Sequence, residues 1–229
     1  MIVTVVNCAP PRVGAALAEN LALLRARVVR KVLLLDAGPG QDCERWGVER
    51  ARARLMPAIA ARSLRGPGCA ARLERLLPDY DEIVINADGC GSHECRWALI
   101  ASHVAVVPLA LDHSDIDAHY DCIAKLNSAR MFNPGLRVLF VAMAGERDLV
   151  PEELGAVRAY AAQVMAAGLA SVTMHQPALA WGNDAPGRCA CDIKNSTGAV
   201  EMAALHREVF RTERTRALPQ AAFRPGLNT

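Results

Sequence analysis

Aromatic residues are scarce in this chain: Phe, Trp and Tyr together make up 4% of its 229 residues. The core must therefore come from aliphatic side chains. Hydrophobic residues reach 52%, mostly Ala, Val and Leu, which suits buried parallel strands covered by alanine-rich helices. No apolar run reaches the roughly 18 residues that a membrane span needs. The first 24 residues lack a basic leader segment, and their apolar residues follow strand and then helix spacing, so no signal peptide is expected. A large charge of either sign is missing too. The formal net charge of +2 does not mark a dedicated nucleic-acid binder, and local arginine clusters matter more than that sum. The eight cysteines (8, 43, 69, 90, 95, 122, 189 and 191) are too dispersed for the disulfide framework of a small secreted module. Reduced thiols in a cytoplasmic protein are the expectation. No internal repeat is present. His93, His113 and His119 fall near one end of the expected sheet, but no G-x-S-x-G elbow accompanies them, which argues against a triad hydrolase.

What the chain does contain is alternation. Strands are expected over Ile2–Val6, Lys31–Leu35, Glu82–Asn86, His103–Leu109, Arg137–Met143 and Ser171–Met174. Helices are expected over Gly14–Arg27, Cys43–Arg54, Ala70–Leu77, Cys95–Ser102, Ser114–Arg130, Glu152–Gly168 and Ala199–Phe210, with a short apolar piece near Leu55–Ile59. Such alternation predicts an α/β fold: a mostly parallel central sheet with helices on both faces. One α/β domain is expected over residues 1–211, followed by a flexible C-terminal tail over 212–229, where periodicity is lost. Ligands in open parallel sheets sit at the carboxyl ends of strands. The first three such loops read NCAPPRVGAA, DAGPGQDCERW and NADGCGSHE.

In this order the loops resemble those of the ParA/MinD family of deviant-Walker P-loop ATPases, and of ParA-type partition proteins most closely. The family opens with a strand ending in Asn, then K-G-G-V-G-K-T-T, then a helix often written L-A-x-N-L-A; here MIVTVVN runs into CAPPRVGAA and LAENLA. LLLDAGPGQ is similar to the family's strand ending D-A-D-P-Q, and YDEIVINADGCG to its Y-D-x-V-V-I-D-x-P-P-G. VAVVPLALDHSDID, LNSARMFNPGLRVLFVAM and IKNSTGAVEMAALHREVF resemble the later segments, so the likeness covers roughly residues 1 to 210. It implies a P-loop NTPase-like fold, ATP as ligand, dimerisation, a partition or mobilisation partner protein and non-specific DNA binding.

The motif residues themselves depart from that pattern. Counted along the loop, the family's signature lysine falls on Ala9, two glycines on Pro10 and Pro11, a later glycine on Val13, the main lysine on Gly14 and the two threonines on Ala15 and Ala16. Sliding Val13-Gly14 onto the family's V-G still leaves Ala15 where lysine should stand. A phosphate loop needs flexible glycines, a lysine ammonium on the phosphates and a hydroxyl on Mg²⁺; proline donates no N–H at all. Arg12 is a cation on the wrong side of the loop. Asp36 is kept where the family's aspartate organises water and metal, but the second acid of that motif is Gly38. The metal-binding Walker B aspartate is Asn86, with Asp88 two residues on as a substitute. The remnant nucleotide site therefore comprises Asn7, Arg12, Gly14, Ala15, Asp36, Asn86 and Asp88. Apart from the resemblance, Asp36 reads equally as a turn or N-cap residue and Asn7 as a loop former.

Two further groups of residues are candidates. Cys90, His93 and Cys95, with Cys189 and Cys191, offer thiolate and imidazole ligands of the sort zinc prefers, although free buried thiols account for them as well. Arginines gather at Arg45, Arg50, Arg52, Arg54, Arg62, Arg65, Arg72 and Arg75, and at Arg207, Arg211, Arg214, Arg216 and Arg224. Arg207 and Arg211, four apart on the last helix, form the better DNA-binding face; the interleaved Glu201, Glu208 and Glu213 make a salt-bridged surface the alternative. The sequence therefore predicts a ParA-like pseudo-ATPase of plasmid or chromosome partition or DNA mobilisation. It would act through protein and DNA partners as a homodimer or beside an active paralogue, with no resident cofactor and at most weak ATP or ADP binding. The alternatives are a divergent active ATPase and a metal- or redox-binding module.

Overall fold

The computed structural model describes residues 1–7, 12–29, 31–87, 89, 91–110, 116–179 and 185–211, with the side chains of 116–119 excepted. The expected tail, from residue 212, lies outside these residues. Strands β1 (Ile2–Val6), β2 (Val32–Asp36), β3 (Ala60–Ser63), β4 (Glu82–Ala87), β5 (Val104–Leu109), β6 (Arg137–Ala144), β7 (Gly168–Leu169) and β8 (Met174–His175) alternate with helices. These are α1 (Val13–Ala26), α2 (Asp42–Arg52), α3 (Cys69–Leu76), α4 (His93–Ala101), α5 (Ile116–Phe132), α6 (Pro151–Ala161), α7 (Gln176–Leu179) and α8 (Thr197–Val209). The strands pair in parallel in the order β3-β2-β4-β1-β5-β6-β7, with β8 beside the carboxyl end of β6.

The period of two along each strand sorts side chains onto two cores. Val3, Val5, Val32, Leu34 and Val84 pack with α1, α2 and α8 on one face. Leu33, Leu35, Ile83 and Ile85 pack with α3 and α4 on the other, where Ala105, Val107, Val138 and Phe140 meet α4, α5 and α6. The α/β expectation of a parallel sheet covered on both faces therefore holds. The expected elements differ in three places. β3, just after the apolar piece near 55–59, has no expected counterpart, and its alternately exposed Ala-Ala-Arg-Ser carries no apolar signal because it is an edge. Of the strand expected over Ser171–Met174 only Met174 is in a strand, as the first residue of β8; the helix expected over Glu152–Gly168 ends at Ala161, and Gly168 belongs to the two-residue β7 instead.

The late loop before α8 is sewn to α1 and α2 by polar contacts. Asn20 donates to the Ala16 carbonyl at 2.8 Å and accepts from Cys191 N at 2.9 Å. Trp46 Nε1 donates to the Arg188 carbonyl at 3.0 Å. Arg50, 1% exposed, pairs with Asp192 at 2.8 Å and donates to the carbonyls of Met56, Pro57 and Gly187. Gly187 adopts φ 76°, and a Cβ there would collide with the Arg50 backbone. Arg50 is therefore a core fastener, a correction to its place in the expected surface cluster. At the opposite end of the sheet Arg25 binds Glu82 through two hydrogen bonds of 2.7 and 2.5 Å and stacks on the Phe210 ring.

Breaking a buried pair strands its partner's charge, so Arg50→Ala should cost roughly 3–5 kcal/mol. Arg52→Ala, two positions away on the surface, should stay within about 0.5 kcal/mol. Urea unfolding of the two variants beside the parent protein measures both.

Candidate functional site

The carboxyl ends of β1, β2 and β4 meet where the strand order reverses around β1. Register places Asn86 beside both Asp36 and Val5, so Asn7, Asp36 and Asn86 converge on one cavity of about 450 Å³. Arg12, Ala15, Gln41 and Asp42 also line it. Arg12, expected on the wrong side of the loop, therefore faces this cavity, and it does so from a left-handed conformation (φ 72°) without a side-chain cap on α1.

Asp36 is fully buried. Its Oδ1 accepts from Gly38 N at 3.0 Å and from Asn86 Nδ2 at 3.2 Å; its Oδ2 accepts from Cys43 N at 2.7 Å and Glu44 N at 3.4 Å. A carboxylate offers about four acceptor sites, and four donors fill them. Two of those donors are N–H groups of the first turn of α2, which no earlier residue of its own helix can satisfy. Gln41, at the N-cap position, has φ 51° and no side-chain cap bond; Asp36 supplies the cap from the neighbouring strand. Burial raises the Asp36 pKa, opposed by the bonds from Gly38, Cys43, Asn86 and Glu44.

Gly14 lies against Asn7. A Cβ at position 14 would stand 2.8 Å from the Asn7 Cβ and 3.3 Å from Asn86 Oδ1. Among the described lining residues Arg12 is the one cation, against the carboxylates of Asp36 and Asp42. A third acid lies one helical turn beyond Ala15. Glu19 is 8% exposed, and burial pushes its carboxyl well above the ordinary value of 4.5; Arg12 opposes this, while Asp42 and Asp36 add to it. Glu19, Gln41 and Asp42 are absent from the sequence-derived site. Glu19 alone left a signal there, as an acid inside the alanine- and leucine-rich LAENLA segment.

The other candidates separate. Asp88 and Cys90 lie outside the described residues. His93 opens α4 and is exposed, whereas Cys95 is buried in the core beneath α4 and donates its N–H to the Ser92 cap at 3.0 Å. Cys189 and Cys191 are buried on the opposite face of the sheet, in the core shared with α1 and α2. Among the described residues no three His, Cys, Asp or Glu side chains gather as a metal site. Arg207 and Arg211 are exposed and line an open groove of about 670 Å³ at the end of α8.

The same arrangement of sheet and helices recurs in solved structures. The cell division protein MinD of Aquifex aeolicus is 12% identical, with 96% of this chain and 99% of that one covered at a TM-score of 0.65. A ParA family ATPase of Chlorobium tepidum is 11% identical over 90% and 97% of the two chains, with a TM-score of 0.58. The chain has the ParA/MinD-type fold. Cobyrinic acid a,c-diamide synthase of Mycobacterium smegmatis, solved with an ATP analogue and magnesium, carries the same fold at 16% identity, over 98% and 99% of the chains, with a TM-score of 0.62. No protein-family model and no curated protein sequence matches the chain. The cavity at Asp36 lies at the carboxyl ends of β1, β2 and β4, and among the described residues no lysine lines it. No described helix is long and apolar enough to cross a membrane.

Glu19 sets a pH dependence. Its folded pKa is raised, so its contribution to stability is fully present below pH 4.5 and is lost as pH rises through the folded value. Glu19→Gln should match the parent protein in acid and exceed it at pH 8, measured as urea midpoints across that range. Asp36, raised in the same direction, adds a pH dependence of the same sign.

Proposed function

We propose that this chain is a ParA-like pseudo-ATPase, which serves plasmid or chromosome partition or DNA mobilisation by engaging protein and DNA partners without nucleotide turnover. The observation that carries this reading is the saturated Asp36 carboxylate. Its four acceptor sites are committed to Gly38, Cys43, Glu44 and Asn86, which leaves none for a water or a metal ion. Gly14 adds support, because a lysine there would press its Cβ on Asn7. Asn86 brings no negative charge to Mg²⁺. The described residues do not fit Mg²⁺–ATP, and the dimer of the family would then form without nucleotide, either between two copies or with an active paralogue.

Calorimetry with ATP and ADP in the presence of Mg²⁺ should show no micromolar binding, and phosphate release should stay at background for the parent protein and for Gly14→Lys. Asp36→Ala should lower stability by about 2 kcal/mol through the lost cap and hydrogen bonds, with phosphate release unchanged. Micromolar affinity, or turnover abolished by Asp36→Ala, sinks the reading and favours the divergent ATPase.

DNA contact belongs to the end of α8. Glu201 is bound to His175 and Glu208 to Ser171; among the described residues neither forms a salt bridge with Arg207 or Arg211, and both arginines are exposed. Phosphate neutralisation by them releases counterions. Replacing each with Ala should reduce the slope of log affinity against log salt by about 0.9, irrespective of DNA sequence. Fluorescence anisotropy with two unrelated duplexes checks this, and an unchanged slope removes α8 from the interface.

A further inference from the structure

The arginines between α2 and α3 divide into two kinds. Arg45 is paired with Asp42, Arg50 is buried on Asp192, and Arg72 reaches the Arg65 carbonyl. Arg52, Arg54, Arg62 and Arg65 are exposed and make no salt bridge among the described residues, although Glu49 and Glu74 belong to the same stretch and Arg65 lies near enough to Glu94 to help lower its pKa. Along the chain these four lie in and around β3. Arg62 is in the strand, Arg65 follows it by two residues, and Arg52 and Arg54 precede it at the end of α2. Helix α2 lies directly on β3, for a Cβ at Gly47 would collide with Ala61.

β3 ends the sheet. It pairs with β2 through Ala60–Ser63 and with no other strand among the described residues. Its outer side therefore carries a short row of N–H and C=O groups that secondary structure leaves unpaired. Such an edge alternates donors and acceptors. Another extended polypeptide answers that alternation; a nucleic-acid backbone, which presents phosphate acceptors, does not. Charge narrows the occupant further. A second copy of this edge would set arginine against arginine, and like charges facing one another across a strand pair oppose it. A strand with acidic side chains meets both the backbone and the charge.

We propose that the open edge of β3, flanked by Arg52, Arg54, Arg62 and Arg65, is a docking site for an acidic, extended segment of a partner protein, which adds a parallel or antiparallel strand to the sheet. The site lies at the far edge from the α8 groove and stands whether or not the Asp36 cavity takes nucleotide. It assigns protein recognition to one arginine group and leaves DNA to the other. Main-chain bonds provide affinity in this mode, and side chains provide selectivity.

The probe is a labelled eight-residue peptide of alternating Glu and Val, followed by anisotropy and by amide hydrogen exchange of the full chain. Its controls are the same peptide N-methylated on alternate residues, the Lys-for-Glu peptide and a duplex DNA of equal charge. The acidic peptide should bind one to one and slow exchange in residues 60–63. Arg52→Ala with Arg62→Ala, both at exposed and unpaired positions, should weaken it roughly three- to tenfold at low salt, the range expected of two solvent-exposed charge contacts. The N-methylated and lysine peptides should fail. Equal binding of the N-methylated peptide, displacement by duplex DNA, exchange unchanged in β3, or no binding at millimolar peptide each overturns the proposal. None of these outcomes depends on the result of nucleotide calorimetry.

Discussion

A charged carboxylate at the dry end of a sheet is expensive unless every acceptor is met, and the Asp36 side chain sets the terms for what surrounds it. Its bonds to Cys43 N and Glu44 N anchor the start of α2. With that end held, Trp46 and Arg50 face the late loop, where they bind the Arg188 and Gly187 carbonyls and Asp192. The loop then returns to α1 through Cys191 N and Asn20. One run of hydrogen bonds thus passes from the cavity, along α2, through the late loop and back to the helix that borders the cavity. The cavity wall and the α1–α2–late-loop core are parts of one polar framework.

The two ends of the sheet are built on different electrostatics. At the amino end Arg25 and Glu82 neutralise each other in a buried bidentate pair, 6% and 5% exposed, and Phe210 covers the guanidinium. At the carboxyl end Asp36, Glu19 and Asp42 gather with Arg12 as the nearby cation among the described lining groups. The amino end is closed by complementary charge. The carboxyl end keeps its acids by backbone N–H donors for Asp36 and by a displaced proton equilibrium for Glu19.

Much of the fold could be read directly from the chain, because buried parallel strands such as VLLLD and EIVIN are continuous apolar runs with turns at both ends. β3 could not, since an edge strand buries little and Ala-Ala-Arg-Ser has no periodic apolar signal. The site's position was legible through the order of the three loops. Its chemistry was only half legible. Asp36 as a cap was an available reading, but a cap seven residues ahead of the N–H it binds crosses between elements and leaves no local spacing to find. Arg50 shows the same limit in reverse: it belongs by sequence to an arginine cluster, and only the approach of Asp192, 142 positions away, puts it in the core.

Asn86 is best understood from Asp36 as well. An aspartate at 86 would set a second carboxylate beside Asp36 Oδ1, at the 3.2 Å now spanned by the amide, and two ionised carboxylates that close repel unless a cation sits between them. Gly14 and Ala15, which border the same space, supply no ammonium and hold no metal to relieve that repulsion. The Asn86 amide converts it into a hydrogen bond without changing the size of the side chain. Glycine at 38 fits the same arrangement: a Cβ there would stand 3.2 Å from Asp36 Oδ1 and 3.4 Å from Asn86 Nδ2, and a second acid would bring its charge into that space. The residues at positions 14, 38 and 86 are therefore coupled by one requirement, that a single buried carboxylate be satisfied by neutral donors.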